Sequence, residues 1–502
     1  MLQWPLFSLP RERSRLLCAF SASSSPHALK QILARAIISG LFAEPFVSAR
    51  IVAAVAASDL SLAQLAFDAS PRRSAFSYSS MIRAHSAGPT PSSSLVLFSR
   101  MLHSGFYPDR FVFPFLLRAS ARSLWPPSFI HAFSLRHGLD GDTHVATSLL
   151  HAYASSGFFG CARKVFDEMP QRSEVTWSAI ISCCARSQQQ QQEDGLFLFT
   201  QMISTGVRPN ADTFIVALSC CAGLGSLTHG KALHSLSIRL LSQLFEVATA
   251  LINMYARCGS LNCALKVFNG IKKKDSSTWT AMIGGLAMHG CGERAVAFFD
   301  KMVEEKERHL QPDGLTFTAV LHACSHSGLV QTGIRIFNDM NSVYCIEPRM
   351  EHYGVMVDML GRAGRFEEAE RVVVSMPFEP NRIVLGSLLH ACLVRGELAY
   401  AERLERSFLG LGFGVEEEEE NDEFGGGFFV GLSNLYAGAC RWEKVGRLRE
   451  EMVERRVRKD SAFSLLEVDG KVHRFLVGDV SHPLTFVINQ MLHSINDDIL
   501  LN

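Results

Sequence analysis

The chain repeats itself, and this self-similarity constrains its fold more than any other feature. Residues 147–185 (TSLLHAYASSGFFGCARKVFDEMPQRSEVTWSAIISCCA) recur with changes at residues 249–287, 102 positions later. Phe113, Phe214 and Phe317 open a further set of similar segments at nearly the same interval. A long internal period of this kind indicates stacked structural repeats, each of which contacts only its neighbours.

The long period divides into three repeats of unequal length. Equivalent positions lie 31–38 residues apart, at Tyr78, Phe113, Ala146, Trp177, Phe214, Ala248, Trp279, Phe317, Tyr353 and Leu385. Each repeat reads as two amphipathic helices separated by a turn, as in the stripe of Ala248, Leu251, Ile252 and Tyr255, the break at Gly259, and the stripe of Leu261, Ala264, Leu265 and Phe268. Neither helix can bury its stripe alone. We therefore predict an all-α solenoid of helix-turn-helix repeats with one concave array of helices.

Charge and composition narrow the functional classes. The 49 Lys and Arg residues balance 49 Asp and Glu residues, so the chain is not an obviously basic nucleic-acid-binding protein. Hydrophobic residues make up 47% and charged residues 20%, which excludes a disordered or fibrous chain. No apolar run approaches the roughly 20 residues that span a bilayer. We therefore expect a soluble protein without a membrane partner.

The motifs of several enzyme classes are incomplete in this sequence. Residues 225–231 (GSLTHGK) match the first seven positions of a phosphate-binding loop, but Ala232 supplies no hydroxyl for magnesium and no strand precedes the loop. A zinc deaminase needs His-x-Glu and Cys-x-x-Cys, and neither occurs among the 18 His and 13 Cys residues. We predict no catalytic residue, no metal and no cofactor, and free thiols in a reducing compartment.

The first forty residues resemble a targeting segment. They contain one acid, Glu12, against the basic residues Arg11, Arg13, Arg15, Lys30 and Arg35, with a Ser-rich patch at residues 21–25. An Arg-rich, Ser-rich and acid-poor start is typical of an organellar transit peptide, which we place at residues 1–25. The arginines favour a mitochondrion and the serines leave a chloroplast as the alternative. A basic tail without a targeting role would have the same composition.

Segments such as VTWSAIISCCA, TSLLHAYASSG and GLTFTAVLHACSHSG resemble the pentatricopeptide repeat, and the alternation of three repeat lengths resembles its plant PLS subclass. On this resemblance residues 26–44 form a partial repeat and residues 45–381 form ten repeats. Residues 382–459 resemble the paired E-type motifs, with an acidic loop at 416–423. Residues 460–502 resemble the E-plus extension, in which alternating residues around Asp469 and Gly470 predict a β-hairpin.

The resemblance implies that each repeat reads one base of single-stranded RNA with its fifth and last residues. The implied reader pairs are Ser79 with Asp109, Pro114 with Asp142, Thr147 with Ser173, Ser178 with Asn210, Thr249 with Asp275, and Thr280 with Asp313. A hydroxyl with Asp resembles the family's guanine code, and Ser178 with Asn210 its adenine code. Pro114 with Asp142 suggests a pyrimidine, and Thr147 with Ser173 has no sharp assignment. Three later pairs are uninformative, namely Ile215 with Leu244, Thr318 with Arg349, and Gly354 with Asn381.

The expected RNA target is therefore G-Y-N-A-N-G-G, from 5′ to 3′. Ser, Thr, Asp and Asn at the ends of helix pairs are also common helix caps, which is the alternative explanation for these positions. The resemblance implies a site-recognition factor for organellar C-to-U RNA editing, whose tail recruits a protein with a DYW-type deaminase and other editing-complex proteins. Two alternatives remain: an organellar RNA stability or splicing factor, and a protein-binding helical scaffold, which the balanced charge favours.

Overall fold

The computed structural model describes residues 26–123, 125–139, 141–186, 189–241, 245–305, 310–410, 423–454, 463–468, 470–476, 480, 482–488 and 490–492. The predicted transit peptide at residues 1–25 lies outside the described residues. So do residues 411–422, which hold nearly all of the predicted acidic loop. Helices account for almost all regular structure in the described part of the chain, so the all-α prediction is confirmed.

The helices follow one another in antiparallel pairs. After α1 (Pro26–Ile38) and a short 3-10 helix (Leu41–Ala43), the described residues contain ten pairs: α2 (Pro45–Ala56) and α3 (Leu60–Ala69), α4 (Ala75–Ala87) and α5 (Ser92–His103), α6 (Phe113–Ala121) and α7 (Pro127–Arg136), α8 (Thr143–Ser155) and α9 (Phe159–Glu168), α10 (Glu174–Arg186) and α11 (Gln189–Ser204), α12 (Ala211–Leu224) and α13 (Leu227–Leu240), α14 (Phe245–Arg257) and α15 (Leu261–Gly270), α16 (Ser276–Met288) and α17 (Gly292–Glu304), α18 (Gly314–Ser327) and α19 (Val330–Ser342), α20 (Met350–Arg362) and α21 (Phe366–Val374). Two further pairs and a β-hairpin complete the described structure: α22 (Arg382–Arg395) and α23 (Leu398–Gly410), α24 (Glu423–Gly438) and α25 (Trp442–Glu454), β1 (Phe463–Val468) and β2 (Lys471–Leu476).

The chain forms two compact units, residues 1–217 and residues 218–502. In the first unit α2, α4, α6, α8 and α10 pack in sequence against one another. The second helices α3, α5, α7 and α9 each pack on their own partner and on the next first helix, and α11 packs on α10. The second unit has the same arrangement, with α14, α16, α18, α20, α22 and α24 packed in sequence. This nearest-neighbour stacking is the packing of an α-solenoid, as predicted.

The pair α14 and α15 shows why these sequences form such pairs. The predicted stripe on α14 is buried, including Leu251, Ile252 and Tyr255. Gly259 then adopts a φ of +77°, a conformation that only glycine takes up without strain, and this reverses the chain. Phe268 on α15 is buried in turn. Burial of both stripes stabilises the pair because each removes apolar surface from water.

A cluster of three side chains recurs where one repeat meets the next. A Phe of a second helix contacts an aromatic ring of the following first helix edge-on, and a cation from the connecting loop covers the same Phe. The clusters are Phe67, Tyr78 and Arg73; Phe166, Trp177 and Arg172; and Phe268, Trp279 and Lys274. The ring centroids are 5.0, 4.7 and 4.9 Å apart, and each aromatic pair contributes about 0.5–1.5 kcal/mol beyond its burial.

The same cations fasten the connecting loops. The Arg73 and Arg172 Nε atoms donate hydrogen bonds of 3.2 and 3.1 Å to the backbone carbonyls of Phe67 and Phe166. Each cation directly precedes the last residue of a repeat. The clusters therefore hold the loops that carry predicted reader residues.

The predicted β-hairpin is confirmed. Strands β1 and β2 pair antiparallel, with Val468 opposite Lys471, so a two-residue turn joins them. Gly470 in that turn has a φ of +75°, as a tight hairpin turn requires.

The hairpin contacts the repeats of the second unit through Glu467. Its carboxylate accepts hydrogen bonds from the Leu227 N–H at 2.6 Å, the Thr228 N–H at 3.3 Å and the Ser226 hydroxyl at 3.1 Å. These donors form the N-terminal end of α13, where unpaired N–H groups favour an anion. Partial burial raises the pKa of Glu467, but the donors from Leu227, Thr228 and Ser226 outweigh it and lower that pKa overall.

No described helix has the combination of length and apolar character that a bilayer span demands. Likewise, no group of three or more His, Cys, Asp or Glu side chains in the described ranges is arranged to hold a metal ion.

Candidate nucleic-acid interface

The first members of the predicted reader pairs lie near the start of first helices. Each is half-buried, and none is covered completely by a neighbouring repeat: Ser79 in α4, Pro114 in α6, Thr147 in α8, Ser178 in α10, Thr249 in α14 and Thr280 in α16. Their side chains are therefore accessible and held on rigid helices. The five positions that carry a hydroxyl suit directional hydrogen bonds to a ligand, whereas Pro114 has no polar side-chain atom.

The second members lie in the loops that lead into the next first helix. Asp109, Ser173, Asp275 and Asp313 are exposed, whereas Asp142 and Asn210 are half-buried. All six accept hydrogen bonds from backbone N–H groups two or three residues further along the chain, for example Asp275 Oδ1 from Thr278 at 2.8 Å and Asp313 Oδ1 from Thr316 at 2.9 Å. Five of the six therefore also cap the following helix, as the alternative explanation expects. Asp109 instead accepts from the Phe111 and Val112 N–H groups, which precede α6. In the carboxylates and the amide, capping engages Oδ1 and leaves the second polar atom for another partner.

Asp142 is the reader whose charge the structure stabilises most clearly. Partial burial opposes its ionisation. The N–H groups of Val145 and His144 and the guanidinium of Arg110, 3.4 Å away, outweigh burial and lower the pKa of Asp142. Asp142 is therefore an anion across the physiological pH range.

In two reader pairs, a threonine hydroxyl lies between the two members and bonds to both. The Ser178 Oγ lies 2.8 Å from the Thr213 Oγ1, which in turn lies 2.8 Å from the Asn210 Oδ1. A second bridge, in the other compact unit, joins Thr280 to Thr316 at 2.7 Å and Thr316 to Asp313 at 2.8 Å.

The other pairs are arranged differently. Pro114, Thr147 and Ser173 line one cleft of about 460 Å³. The Ser79 hydroxyl donates to the Ala75 carbonyl of its own helix at 2.8 Å. No hydrogen bond between described residues links Ser79 to Asp109 or Thr249 to Asp275.

A basic cleft adjoins Asp275. It has a volume of about 1140 Å³, and its lining includes Lys266, Lys272, Lys273 and Lys274. Lys274 is held by the Ile271 carbonyl at 2.9 Å. Lys266, Lys272 and Lys273 form no ion pair within the described part of the chain, so their charges are available to an anion.

Apart from those lysines and Asp275, the side chains that line this cleft carry no charge. His234 and Tyr255 both line it, with the His234 Nδ1 2.9 Å from the Tyr255 hydroxyl. Burial lowers the pKa of His234, and burial together with nearby Cys263 and Cys258 raises that of Tyr255 to about 12. Both rings are therefore neutral at physiological pH.

The loop that resembles part of a phosphate-binding loop has a structural role. Gly225, with a φ of +65°, reverses the chain between α12 and α13. The anion at the start of α13 is the carboxylate of Glu467, bound through Ser226, Leu227 and Thr228. The near-match therefore reflects helix-terminus geometry.

Comparison with known proteins decides the family. A model described as "PPR repeat" matches residues 145–173, 247–276, 315–345 and 351–378, and one described as "PPR repeat family" matches residues 274–326. The "Pentatricopeptide repeat-containing protein At1g59720, chloroplastic/mitochondrial" of Arabidopsis thaliana is 38% identical over 449 residues, 88% of this chain and 69% of that protein. The "Pentatricopeptide repeat-containing protein OGR1, mitochondrial" of Oryza sativa subsp. japonica is 37% identical over 469 residues, 90% of this chain and 77% of that protein. The chain belongs to the pentatricopeptide repeat family.

Solved pentatricopeptide repeat structures have the same fold. The crystal structure of PPR10 from maize superposes with a TM-score of 0.60 at 16% identity, over 86% of this chain and 61% of that one. PPR10 in complex with an 18-nt psaJ RNA element gives 0.61 at 16% identity, over 88% and 65%. This chain thus spans less than two thirds of the length of the PPR10 chains. At this level of identity the likeness establishes the solenoid fold.

The bridging threonines of this pentatricopeptide repeat protein were not among the predicted readers. Thr213 and Thr316 are each the third residue of a first helix, and Thr176 and Thr278 occupy the same position in α10 and α16. Alignment of the repeats would have revealed this recurrent hydroxyl. Its contact with the preceding repeat becomes visible only in three dimensions.

Proposed function

We propose that this pentatricopeptide repeat protein binds single-stranded RNA and reads one base per repeat with the six reader pairs named above. The observation that carries the proposal is the placement of paired polar groups: a half-buried side chain near the start of a first helix, and a capping residue before the next one. In four of the second members, Asp109, Asn210, Asp275 and Asp313, hydrogen bonds within the described residues use Oδ1 alone. The remaining atom is available to a base edge.

The basic cleft beside Asp275 supports an RNA ligand. Lys266, Lys272 and Lys273 offer charge without internal ion partners, which suits the phosphates of a strand whose base is read nearby. The occurrence of an RNA complex of PPR10 adds support from a protein of the same fold.

The role we assign to this RNA binding is site recognition for C-to-U editing in a plant organelle. The repeats belong to the PLS subclass and the tail carries E and E-plus motifs, which recruit a DYW-type deaminase in trans. The chain itself is not an enzyme. We assign it to the mitochondrion, with the chloroplast as the alternative, and names of relatives that refer to both organelles support this.

RNA binding is tested with two RNAs of equal composition. One contains GCUAUGG flanked by uridines, and the other contains the same seven bases permuted. We expect at least tenfold tighter binding of the first, because each correct pair of hydrogen bonds contributes about 1–3 kcal/mol of discrimination. Equal affinity for the two RNAs would exclude base reading, and a protein-binding scaffold would then explain the repeats better.

The editing role is tested in a plant that lacks the protein. Sequencing of organellar transcripts should show loss of C-to-U conversion at a site a few nucleotides downstream of the target word. Changed splicing or transcript abundance with every site still edited would support the stability or splicing factor instead.

A further inference from the structure

Thr213 and Thr316 have no role in the family's two-residue code as applied above, yet both are buried beside a reader pair. Each side chain is fully removed from solvent, with 0% exposure. Each is the third residue of a first helix, α12 and α18 respectively. A buried hydroxyl must satisfy its hydrogen bonds within the protein, so its partners are fixed rather than exchanged with water.

The partners of Thr316 determine the direction of every hydrogen bond around it. Its hydroxyl donates to the Asp313 Oδ1 at 2.8 Å, since a carboxylate can only accept. The Asp313 N–H donates to the same hydroxyl at 3.3 Å. A hydroxyl has one proton, so the Thr280 hydroxyl, 2.7 Å away, must donate its own proton to Thr316. Thr280 is left with lone pairs alone, and Asp313 with its free Oδ2.

The hydrogen bonds of Thr213 determine which end of the Asn210 side-chain amide is the oxygen and which is the nitrogen. The Thr213 N–H donates to the Asn210 side chain at 2.9 Å, so the atom it contacts must be the carbonyl oxygen. The Thr213 hydroxyl donates to the same oxygen at 2.8 Å, and the Ser178 hydroxyl therefore donates to Thr213. Asn210 is left with its Nδ2 donors, and Ser178 with acceptor lone pairs.

We propose that Thr213 and Thr316 are positioning residues that set which hydrogen-bonding atoms their reader pairs present to RNA. The inference rests on the proposed RNA-reading function and deepens it. Thr316 leaves the pair Thr280 and Asp313 with acceptors only, which match the N1–H and N2–H₂ donors of guanine. Thr213 leaves Ser178 as an acceptor and Asn210 as a donor, which match the N6–H₂ donor and N1 acceptor of adenine.

The other two pairs of a hydroxyl with Asp allow a comparison without mutation. Thr278 donates to the Asp275 Oδ1 at 2.5 Å, but no hydrogen bond joins Thr278 to Thr249 in the described ranges. At Asp109 the residue three positions on is Val112, which has no hydroxyl. Base discrimination should therefore decrease from the pair of Thr280 and Asp313, through Thr249 and Asp275, to Ser79 and Asp109.

The test uses the full chain and RNAs that contain GCUAUGG with one base changed. In our assignment Thr280 and Asp313 read the seventh base, and Ser178 and Asn210 read the fourth. Thr316→Val should reduce the preference for G over A at the seventh base about fivefold or more and leave the fourth unchanged. Thr213→Val should do the reverse, so each variant is the control for the other.

Two further variants separate positioning from stability. Thr316→Ser keeps the hydroxyl and should restore the preference for G at the seventh base. Thr200→Val lies on the second helix α11, where its exposed hydroxyl donates to the Phe197 carbonyl of that helix, and it should change neither preference. If Thr316→Val does not fold, Thr316→Ala replaces it, with folding checked by circular dichroism.

Three results overturn the inference in distinguishable ways. Unchanged preferences in a folded Thr316→Val protein show that the hydroxyl does not set the pair. Equal losses at the fourth and seventh bases show a general structural effect. A wild-type protein without preference for GCUAUGG over its single-base variants rejects the proposed function, and the inference with it.

Discussion

Single residues before the first helices serve two purposes with different atoms. Asp313 caps α18 with Oδ1, and Asn381 caps α22 in the same way by accepting from the Val384 N–H at 3.1 Å. Asn381 belongs to an uninformative pair, in which its partner Gly354 has no side chain. The chain therefore contains a cap that is a predicted reader and a cap that is not.

This contrast separates the two roles by experiment. Asp313→Ala and Asn381→Ala should each lower the free energy of unfolding by about 1 kcal/mol, because each removes one N-cap. Only Asp313→Ala should reduce the preference for G at the seventh base of GCUAUGG. Thermal unfolding and gel-shift assays on the same two proteins measure both effects. Equal effects of the two variants on base preference would indicate that Asp313 acts only as a cap.

For single residues, the resemblance to the pentatricopeptide repeat family indicated the reader positions. The hydrogen bonds that we propose give them their specificity could not be predicted from the sequence. The hydroxyl of Thr280 and that of Thr316 are 36 positions apart in the chain, and their contact depends on how closely α16 and α18 pack. A sequence pattern fixes which residues face a neighbouring helix. It does not fix a separation of 2.7 Å.

Among the secondary-structure elements, the loop between α15 and α16 differs from its counterparts in charge. Lys272 and Lys273 stand where the corresponding loop between α9 and α10 has Pro170 and Gln171. Both lysines line the basic cleft and have no ion partner in the described residues. A surface with unneutralised charge is the feature that makes RNA binding depend on salt.

We expect the double substitution of Lys272 and Lys273 by Ala to weaken RNA binding by a similar factor for every sequence. Each contact to a single-stranded phosphate contributes about −0.7 to the slope of log affinity against log salt, so the slope should become shallower by about 1.4. Fluorescence anisotropy between low and moderate salt measures it. Lys164 and Lys231, exposed lysines outside the cleft, provide a control double variant of equal charge. An unchanged slope for Lys272 and Lys273 would place the RNA elsewhere.

Helices were the most predictable elements of this protein, for a reason visible in α14 and α15. Their apolar residues recur with the helical period and the break falls at Gly259, so pattern and backbone preference agree. The hairpin was predictable because its turn is local. The clusters between repeats are also visible in the sequence, since Phe166, Arg172 and Trp177 recur with identical spacing as Phe268, Lys274 and Trp279.

On the scale of the whole molecule, the contact of Glu467 with α13 joins segments about 240 positions apart. The sequence of neither segment predicts this contact, because a carboxylate on a strand and the start of a helix are both common features. It depends on how far the intervening repeats carry the chain before it returns. The sequence analysis found only an incomplete phosphate-binding loop before α13 and did not identify Glu467 as its partner.

The reactivity of the Cys258 thiol can be used to measure whether the β-hairpin is bound to α13. Burial and the neighbouring Glu467 carboxylate raise the pKa of the Cys258 thiol to about 11, so we expect it to react slowly while the hairpin is in place. Glu467→Lys places a cation against the positive end of α13, and alkylation of Cys258 by N-ethylmaleimide should then accelerate several-fold. Peptide mass spectrometry measures the rate. Glu450→Lys, an exposed site on α25, is the matched control, and equal rates in both variants would contradict the contact.

The same contact should respond to acid in one direction. The pKa of Glu467 in the folded protein is lowered from its ordinary value of 4.5. A lowered folded-state pKa stabilises the contact fully above pH 4.5, and this stability is lost as the pH falls through the lowered value. Amide exchange of residues 463–468 and 470–476 should therefore keep constant protection from neutral pH down to about pH 4.5 and lose it below. Loss of protection near neutral pH would contradict this assignment.

Within each compact unit, the described helix pairs pack against the pairs next to them in the chain. Stability in such an array is a sum of local terms, with no core shared by distant members. An unequal crossover that deletes three consecutive helix pairs would leave the flanking pairs with chemically equivalent neighbours. The RNA sequence that such a deletion product recognises would be three bases shorter, and each remaining repeat would recognise the same base as before.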